Sequence, residues 1–430
     1  MSVQEERSRS IAVHEAWLPS EHPLHRPRHG GKQRVALIAA VVFFLAPLLA
    51  ILLGVRPAQF ENRRLAQAPS ISDGWGFFTG MSAWASDRLP FRDSAVRSTD
   101  WISRNVFGET ALFDTMRPAS PPALGPVAPL PASNDLRPPS SYPQVIEGKD
   151  GWLYFGYDVE GKCAPTRSRE EVLSSLQRLR SAVEASGRRF VLVVPPDKTT
   201  AVPGHLPDSY AGRDCARAQS QDFWRRVTTQ AGALDLRKPL AALGNTGVPT
   251  YNTLDTHWTD AGSLTMVRSL AETIRPGVSD QWRAEPRQQR QTTADLPRLL
   301  GRTGADRIRM YSLAPDGLRD RTKPYITDIT KPAHITSPPG PGMVTTPVTM
   351  IGDSFSLAPS RYLAATFSNL TVLAYSTTST DVDALARTMA GGDVVVLEVV
   401  ERNLAGGLPT LLDPGAIDRI GAVLKSRPVK

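Results

Sequence analysis

The chain has 430 residues, 41% of them hydrophobic and 21% charged, which is enough for one large domain with an appendage or for two domains. Its formal charge is +8; residues 1–34, with six Lys/Arg and four Asp/Glu, carry +2 of it, and the other 396 residues carry +6. No basic block with interleaved aromatics occurs, which argues against nucleic acid as a partner. The diffuse excess fits an arginine-rich solvated surface, with anionic glycans or a membrane surface as alternatives.

Residues 1–34 are polar and lack apolar periodicity. His14, His22, His25 and His29 lie there at spacings that match no helical ligand face, so the segment reads as a cytoplasmic tail and no metal site is expected. Val35 to Val55 is then 21 residues without a charge, enough at 1.5 Å per residue to span about 30 Å of bilayer core. Pro47 inside it is tolerated in membrane helices, and no small-x-small cleavage site follows at Arg56-Pro57. An uncleaved single-pass anchor is expected. Arg26, Arg28, Lys32 and Arg34 before it, against Arg56, Arg63 and Arg64 after it, lean toward a cytoplasmic N-terminus in the cell membrane, with the rest outside. Cys163 and Cys215 both fall in that outer part, where disulfides persist; a pair is expected, with two free buried thiols as the alternative.

Residues 56–143 form a membrane-proximal segment, aromatic-rich and helical from Trp75 to Phe91, followed by a linker with nine prolines between Arg117 and Pro143. A main domain over 144–430 opens with two short apolar runs around a glycine turn, Val145 to Phe155, read as a hairpin. From there helix and strand patterns alternate. Strands are expected at Phe190 to Val194, Leu234 to Leu236, Val348 to Ile351, Leu370 to Tyr375 and Asp393 to Val400. Helices are expected at Glu170 to Ala185, Asp222 to Thr229, Gly262 to Ile274, Leu357 to Phe367, Val382 to Met389 and Ala416 to Leu424. Such alternation argues for an α/β fold, a mainly parallel sheet flanked by helices, with its site at the carboxyl ends of the strands. Residues 276–346 show no clear pattern and read as a surface insertion.

The run Val348-Thr-Met-Ile ends in Gly352-Asp353-Ser354 before a helical pattern, so Ser354 is expected on the turn between strand and helix. There a hydroxyl is presented clear of the sheet, and free N–H groups near Ser354 and Phe355 can stabilise an oxyanion. Gly-Asp-Ser is also a common strand-exit turn. A serine nucleophile needs a base and a carboxylate to orient it. Of the histidines beyond the tail, His205 and His334 have no acidic neighbour in sequence, whereas His257 sits in Asp255-Thr256-His257-Trp258. The i,i+2 spacing lets Asp255 fold back on the imidazole, leaving the other nitrogen for Ser354. Asp353 reads as structural, holding the turn. A metal at His257 is the runner-up, but no second His or Cys cluster lies nearby.

Glu61-Asn62-Arg63, Asp87-Arg88-Leu89-Pro90-Phe91-Arg92, Gly148-Lys149-Asp150-Gly151-Trp152-Leu153, Asp255-Thr256-His257-Trp258 and Gly352-Asp353-Ser354-Phe355-Ser356 together resemble the AlgJ/AlgX group of alginate O-acetyltransferases. These proteins are SGNH-hydrolase-like, with the Asp-His pair ahead of the serine, and the resemblance runs from about residue 60 to Arg402. It implies Ser354 as nucleophile, His257 as general base and acid, and Asp255 as orienting carboxylate. It further implies an extracytoplasmic polysaccharide acceptor, no cofactor, and a membrane-bound O-acyltransferase partner handing acyl groups across the bilayer, since acetyl-CoA is not supplied outside. Two rivals stand beside this expectation: a glycan or lipid acetyl esterase with the same triad, and a non-catalytic glycan-binding or assembly protein.

Overall fold

The computed structural model describes residues 31–53 and 142–429, with Leu18, Glu21, His22, Phe77, Met81 and Trp84 as isolated further positions. Nearly all of the expected tail, the aromatic-rich segment, the Pro-rich linker, and the Glu61-to-Arg63 and Asp87-to-Arg92 motifs lie outside the described residues. Most of the apolar run at 35–55 falls on a helix, Gly31–Leu52, where Val35, Leu37, Ile38 and Val42 are exposed. Several side chains of this helix are outside the described set, and among the described residues no helix is long and apolar enough to cross a membrane.

The body opens with the expected antiparallel hairpin, β1 (Val145–Glu147) and β2 (Leu153–Phe155). Its tight turn needs positive φ at Asp150 and Gly151, which glycine adopts freely and aspartate tolerates. There follow β3 (Arg189–Val194), β4 (Ala233–Asp235), a separate ribbon of β5 (Arg283–Thr293) and β6 (Ala305–Ala314), then β7 (Ala333–Thr336), β8 (Val348–Gly352), β9 (Asn369–Ala374) and β10 (Val394–Glu398). Six of them make one sheet in the order β4-β3-β10-β8-β9-β7. All neighbours run parallel except the edge strand β7, which pairs antiparallel with β9.

The strands read as continuous apolar runs because both faces of the sheet are covered, yet the period of two persists within them. Val191 and Val193 of β3 join Val394 and Val396 of β10 and Val348 and Met350 of β8 on one face, against Met266, Val267 and Leu270 of the helix Asp260–Ile274. Phe190, Leu192 and Val194 join Val395, Leu397 and Ile351 on the other, against the helices Arg169–Glu184, Arg213–Gln230, Val382–Met389 and Pro414–Lys425. Each fully buried side chain of this kind contributes about 1.5–3 kcal/mol.

Helix starts follow local chemistry. Ser168 and Glu171 form a reciprocal capping box for Arg169–Glu184, and Thr259 accepts from Gly262 N–H to cap Asp260–Ile274.

Three expectations are corrected. The helix expected from Leu357 begins only at Ser360, after a short 3-10 turn Ser354–Ser356, because Pro359 supplies no N–H and suits a helix start. The helix expected from Asp222 starts at Arg213; its first half is polar, and a disulfide between Cys163 and Cys215 ties it to the helix Tyr157–Cys163. The stretch read as a formless insertion contains β5, β6 and the edge strand β7.

Candidate active site

Three parallel strands end at one place. β8 delivers Gly352-Asp353-Ser354, β3 delivers Asp197 and Lys198 after Pro195-Pro196, and β10 delivers Glu401 and Arg402. Gly352 is required by packing, since a Cβ there would collide with Ser356 Oγ and approach Glu398 Oε2 to 2.8 Å. Those two groups are hydrogen-bonded to each other at 2.6 Å, with Ser356 donating. Asp353 holds the turn from both sides: its Oδ1 accepts Phe355 N–H at 2.9 Å and its Oδ2 accepts Val400 N–H at 3.1 Å. Phe355 N–H, expected to face an oxyanion, is therefore engaged by the aspartate that caps the turn. Among the described residues no acceptor meets Ser354 N–H.

His257 enters from the loop ahead of the helix Asp260–Ile274. Asn252 closes that loop, its backbone N–H donating to His257 carbonyl at 3.1 Å and its side-chain amide to the Trp258 carbonyl at 3.1 Å. Asp255 folds back as its spacing predicts, Oδ1 lying 2.7 Å from His257 Nδ1 and accepting His257 N–H at 2.9 Å. The other ring nitrogen, Nε2, lies 2.9 Å from Ser354 Oγ. Phe355 packs beneath the imidazole with ring centroids 4.8 Å apart, and Trp258 meets Phe355 edge-on at 5.1 Å. Ser354, His257 and Asp255 thus form one hydrogen-bonded line although the serine and histidine are 97 residues apart.

The charges around this line work against its burial. Burial pushes Asp255 up, but the His257 charge and the N–H bonds of His257 and Asp295 outweigh it and hold the carboxyl below its ordinary range. Burial pushes His257 down, yet the Asp255 charge and hydrogen bond, with Asp295 adding, keep its pKa above the ordinary 6.5. Asp295 is a residue that sequence reasoning missed. Its Oδ2 accepts the Thr256 hydroxyl at 2.6 Å and stands 3.8 Å from His257 Nδ1, while its N–H donates to Asp255 Oδ2 at 3.1 Å. Asp255, His257 and Asp295 offer ligand atoms within 4.8 Å of one another, a third donor the sequence did not reveal. Each carboxylate there is already held by backbone N–H groups, and His257 Nδ1 is at hydrogen-bond distance from Asp255. That pattern serves an imidazole as well as it would a cation.

Lys198 is the second residue missed. Its buried ammonium donates to the carbonyls of Leu153 (2.6 Å), Thr253 (2.8 Å) and Asp255 (3.1 Å), nailing the histidine loop to β2. The rings of Trp152 and Tyr154 flank it at 4.9 and 5.3 Å. Burial pulls its pKa down to about 8, against the charges of Asp306 and Asp255.

Beneath lies a buried ionic cluster. Lys162 bridges Asp197 (2.6 Å) and Glu401 (3.2 Å), and Arg402 reaches Asp158 (3.3 Å) and Asp197 (3.4 Å). The Arg402 guanidinium also lies 5.2 Å from the Phe355 ring centroid. The remaining sequence candidates lie elsewhere: His205 stacks on Trp152 and meets Asp150 at 3.0 Å on the exposed hairpin, and His334 meets Thr371 Oγ1 on the sheet edge.

A serine on the turn after a central parallel strand, faced by an Asp-x-His loop, defines an SGNH-hydrolase-like α/β protein. Residues 145–384 match the family described as SGNH hydrolase-like domain, acetyltransferase AlgX, and the chain belongs to that family. It is similar to a probable alginate O-acetylase AlgJ of Pseudomonas syringae pv. tomato, 30% identical over 132 residues, 31% of this chain and 34% of that protein. The chain thus spans about a third of the length of the curated relatives it matches. Among solved structures it is similar to the O-acetyltransferase domain of Pseudomonas putida AlgJ (TM-score 0.42, 20% identity, 65% of this chain and 98% of that one). It is also similar to AlgX of Pseudomonas aeruginosa (TM-score 0.41, 15% identity, 64% and 66%).

Proposed function

We propose that the chain is an extracytoplasmic O-acetyltransferase that modifies hydroxyls of a cell-surface or exported polysaccharide through an acyl-enzyme on Ser354. The observation that carries the reading is the line Ser354 Oγ, His257 Nε2, His257 Nδ1, Asp255 Oδ1, with contacts of 2.9 and 2.7 Å. Family membership supports acetyl transfer as the reaction.

Ser354 Oγ attacks the carbonyl carbon of an acetyl donor while its proton passes to His257 Nε2. Asp255 fixes the tautomer and stabilises the imidazolium that forms. The tetrahedral oxyanion is met by Ser354 N–H. Collapse expels the donor's leaving group, which takes the proton from His257, and leaves acetyl-Ser354. An acceptor hydroxyl then gives its proton to His257 Nε2, attacks the ester carbonyl, and departs acetylated as Ser354 Oγ regains the proton.

The helix at Gly31–Leu52 is read as the membrane anchor, with the body outside the cell membrane. Because acetyl-CoA is confined to the cytoplasm, the donor would be handed across the bilayer by a membrane-bound O-acyltransferase. Full-length protein in detergent with an aryl acetate tests the chemistry. Phenol release should vanish in Ser354→Ala and His257→Ala, and release that persists in both would refute the triad.

A further inference from the structure

Glu398 takes no part in the proton transfers between Ser354 and His257, yet it lies directly under the serine turn. It ends β10, the strand between β3 and β8, and is fully buried. Its Oε2 accepts the Ser356 hydroxyl at 2.6 Å and Asp353 N–H at 3.1 Å, so it ties together the residues on both sides of Ser354. Its Oε1 meets no donor among the described residues, and none of their cations pairs with it. The Glu398 carboxyl is nevertheless hydrogen-bonded to the carboxyl of Asp353. Two carboxyl groups share a hydrogen bond only if one of them carries a proton. The donors around them decide which. Asp353 Oδ1 accepts Phe355 N–H, and its Oδ2 accepts Val400 N–H and, at 3.4 Å, the Asn403 amide. Asp353 is thus the anion that accepts from all sides, and the proton falls to Glu398, which has an oxygen free to donate.

The surroundings favour the same state. An unpaired carboxylate is costly to bury, and burial with the Asp353 charge pushes the Glu398 carboxyl well above its ordinary range. On one side β3 sets Val193 opposite it. From beyond β9, the buried Tyr375 phenol, pushed up by burial and by both carboxyls, accepts the Asn403 amide at 3.0 Å. Arg402, past the end of β10, lends its charge to Asp353. We propose that Glu398 works as a neutral carboxylic acid that donates its proton to the Asp353 carboxylate, and that it is a positioning residue for the turn bearing Ser354. In this role it fixes Asp353, and through Asp353 the N–H groups of Phe355 and Val400, so that Ser354 N–H keeps its direction. Being neutral, it also sets no second negative charge beneath the place where the oxyanion forms.

This inference rests on the acyl-enzyme reading of Ser354, and its test keeps the two apart. Full-length wild type, Glu398→Gln and Glu398→Met in detergent are compared by infrared absorption, denaturant unfolding and aryl acetate turnover. At pH 7 wild type should show a carboxylic-acid C=O band that both variants lack. Gln offers Asp353 an amide N–H in place of the acid proton and keeps a carbonyl for Ser356, so its kcat should stay close to wild type. Met fills the space without the hydrogen bonds and should lose about tenfold in kcat. An acid whose folded-state pKa is raised gives stability that is complete below its unfolded value, about 4.3, and is lost as pH climbs toward the folded one. The unfolding constant of wild type should therefore rise relative to that of Glu398→Gln, by about a hundredfold from pH 5 to pH 7. A missing acid band, a ratio that stays level over that range, a Gln variant that fails to fold or is as slow as Met, or a Met variant as fast as wild type would overturn the proposal. Turnover absent from wild type, or unchanged in Ser354→Ala, would instead count against the triad and leave the band and the unfolding ratio standing.

Discussion

Lys198 Nζ lies 3.1 Å from the carbonyl oxygen of Asp255, so the residue that orients the histidine is itself held by a buried cation from the end of a central strand. Truncating that cation removes a donor from three carbonyls, of which that of Thr253 keeps the Leu153 N–H at 3.0 Å. In Lys198→Met the stem packing is kept, but each carbonyl left unsatisfied costs about 1–3 kcal/mol. The expected result is a lower Tm together with a kcat reduced more than KM is raised, because the loop keeps its shape only loosely. An unchanged kcat in a well-folded variant would assign Lys198 to stability alone.

The same residue gives an alkaline limb. Below about pH 8 Lys198 is an ammonium with three donors for three carbonyls; above it, an amine with two. Aryl acetate turnover should decline modestly as pH rises through about 8. In Lys198→Met that decline should be missing from the pH–rate profile.

The acidic limb belongs to His257. A general base works deprotonated, so kcat/KM should rise with pH through a pKa above 6.5, the side to which the Asp255 charge moves the imidazole against its burial. Asp255→Asn removes that charge. The limb should then shift to lower pH, and the rate should fall on the order of 10³–10⁴-fold as the tautomer is no longer fixed. Asp295→Asn should shift the limb the same way by less, since its oxygen is 3.8 Å from the ring nitrogen. A limb that stays in place in both variants would remove the carboxylates from the account.

How much of this was readable from the sequence follows from range and burial. Asp255 and His257 are two residues apart, and the turn that joins them is local, so the pair could be read directly. The apolar runs of β8 and β10 were legible for a different reason, being covered on both faces. Asp295 reaches Thr256 across 39 residues and Lys198 reaches Asp255 across 57, contacts that only the closed fold creates. β5, Arg-Ala-Glu-Pro-Arg-Gln-Gln-Arg-Gln-Thr-Thr, has no apolar face to announce a strand, and its partner β6 decides its conformation. The apolar pattern from Leu357 does not show where its helix starts; Pro359, without an N–H, sets that start at Ser360.

The disulfide closes a loop with a sequence separation of 52. The chain-entropy estimate for such a loop is about 4 kcal/mol, so Cys163→Ser with Cys215→Ser should lower Tm by roughly 10 °C. Aryl acetate turnover at 25 °C should be retained, because neither sulfur touches the triad. A melt unchanged by reduction or by the double substitution would contradict the pairing.

Lys162 neutralises two buried carboxylates, Asp197 and Glu401. Removing one member of such a cluster strands the others, and Lys162→Met should cost about 3–5 kcal/mol in chemical denaturation. A loss below about 1 kcal/mol would place the cluster among ion pairs of little net worth.

The central claim is that Ser354 carries the acetyl group to a polysaccharide. Its most direct test is the O-acetyl content of the exported glycan in cells that make either the full-length wild-type chain or Ser354→Ala at equal levels. Ser354→Ala cells should export the polysaccharide with its O-acetyl groups lost. Unchanged acetylation would contradict the transferase account.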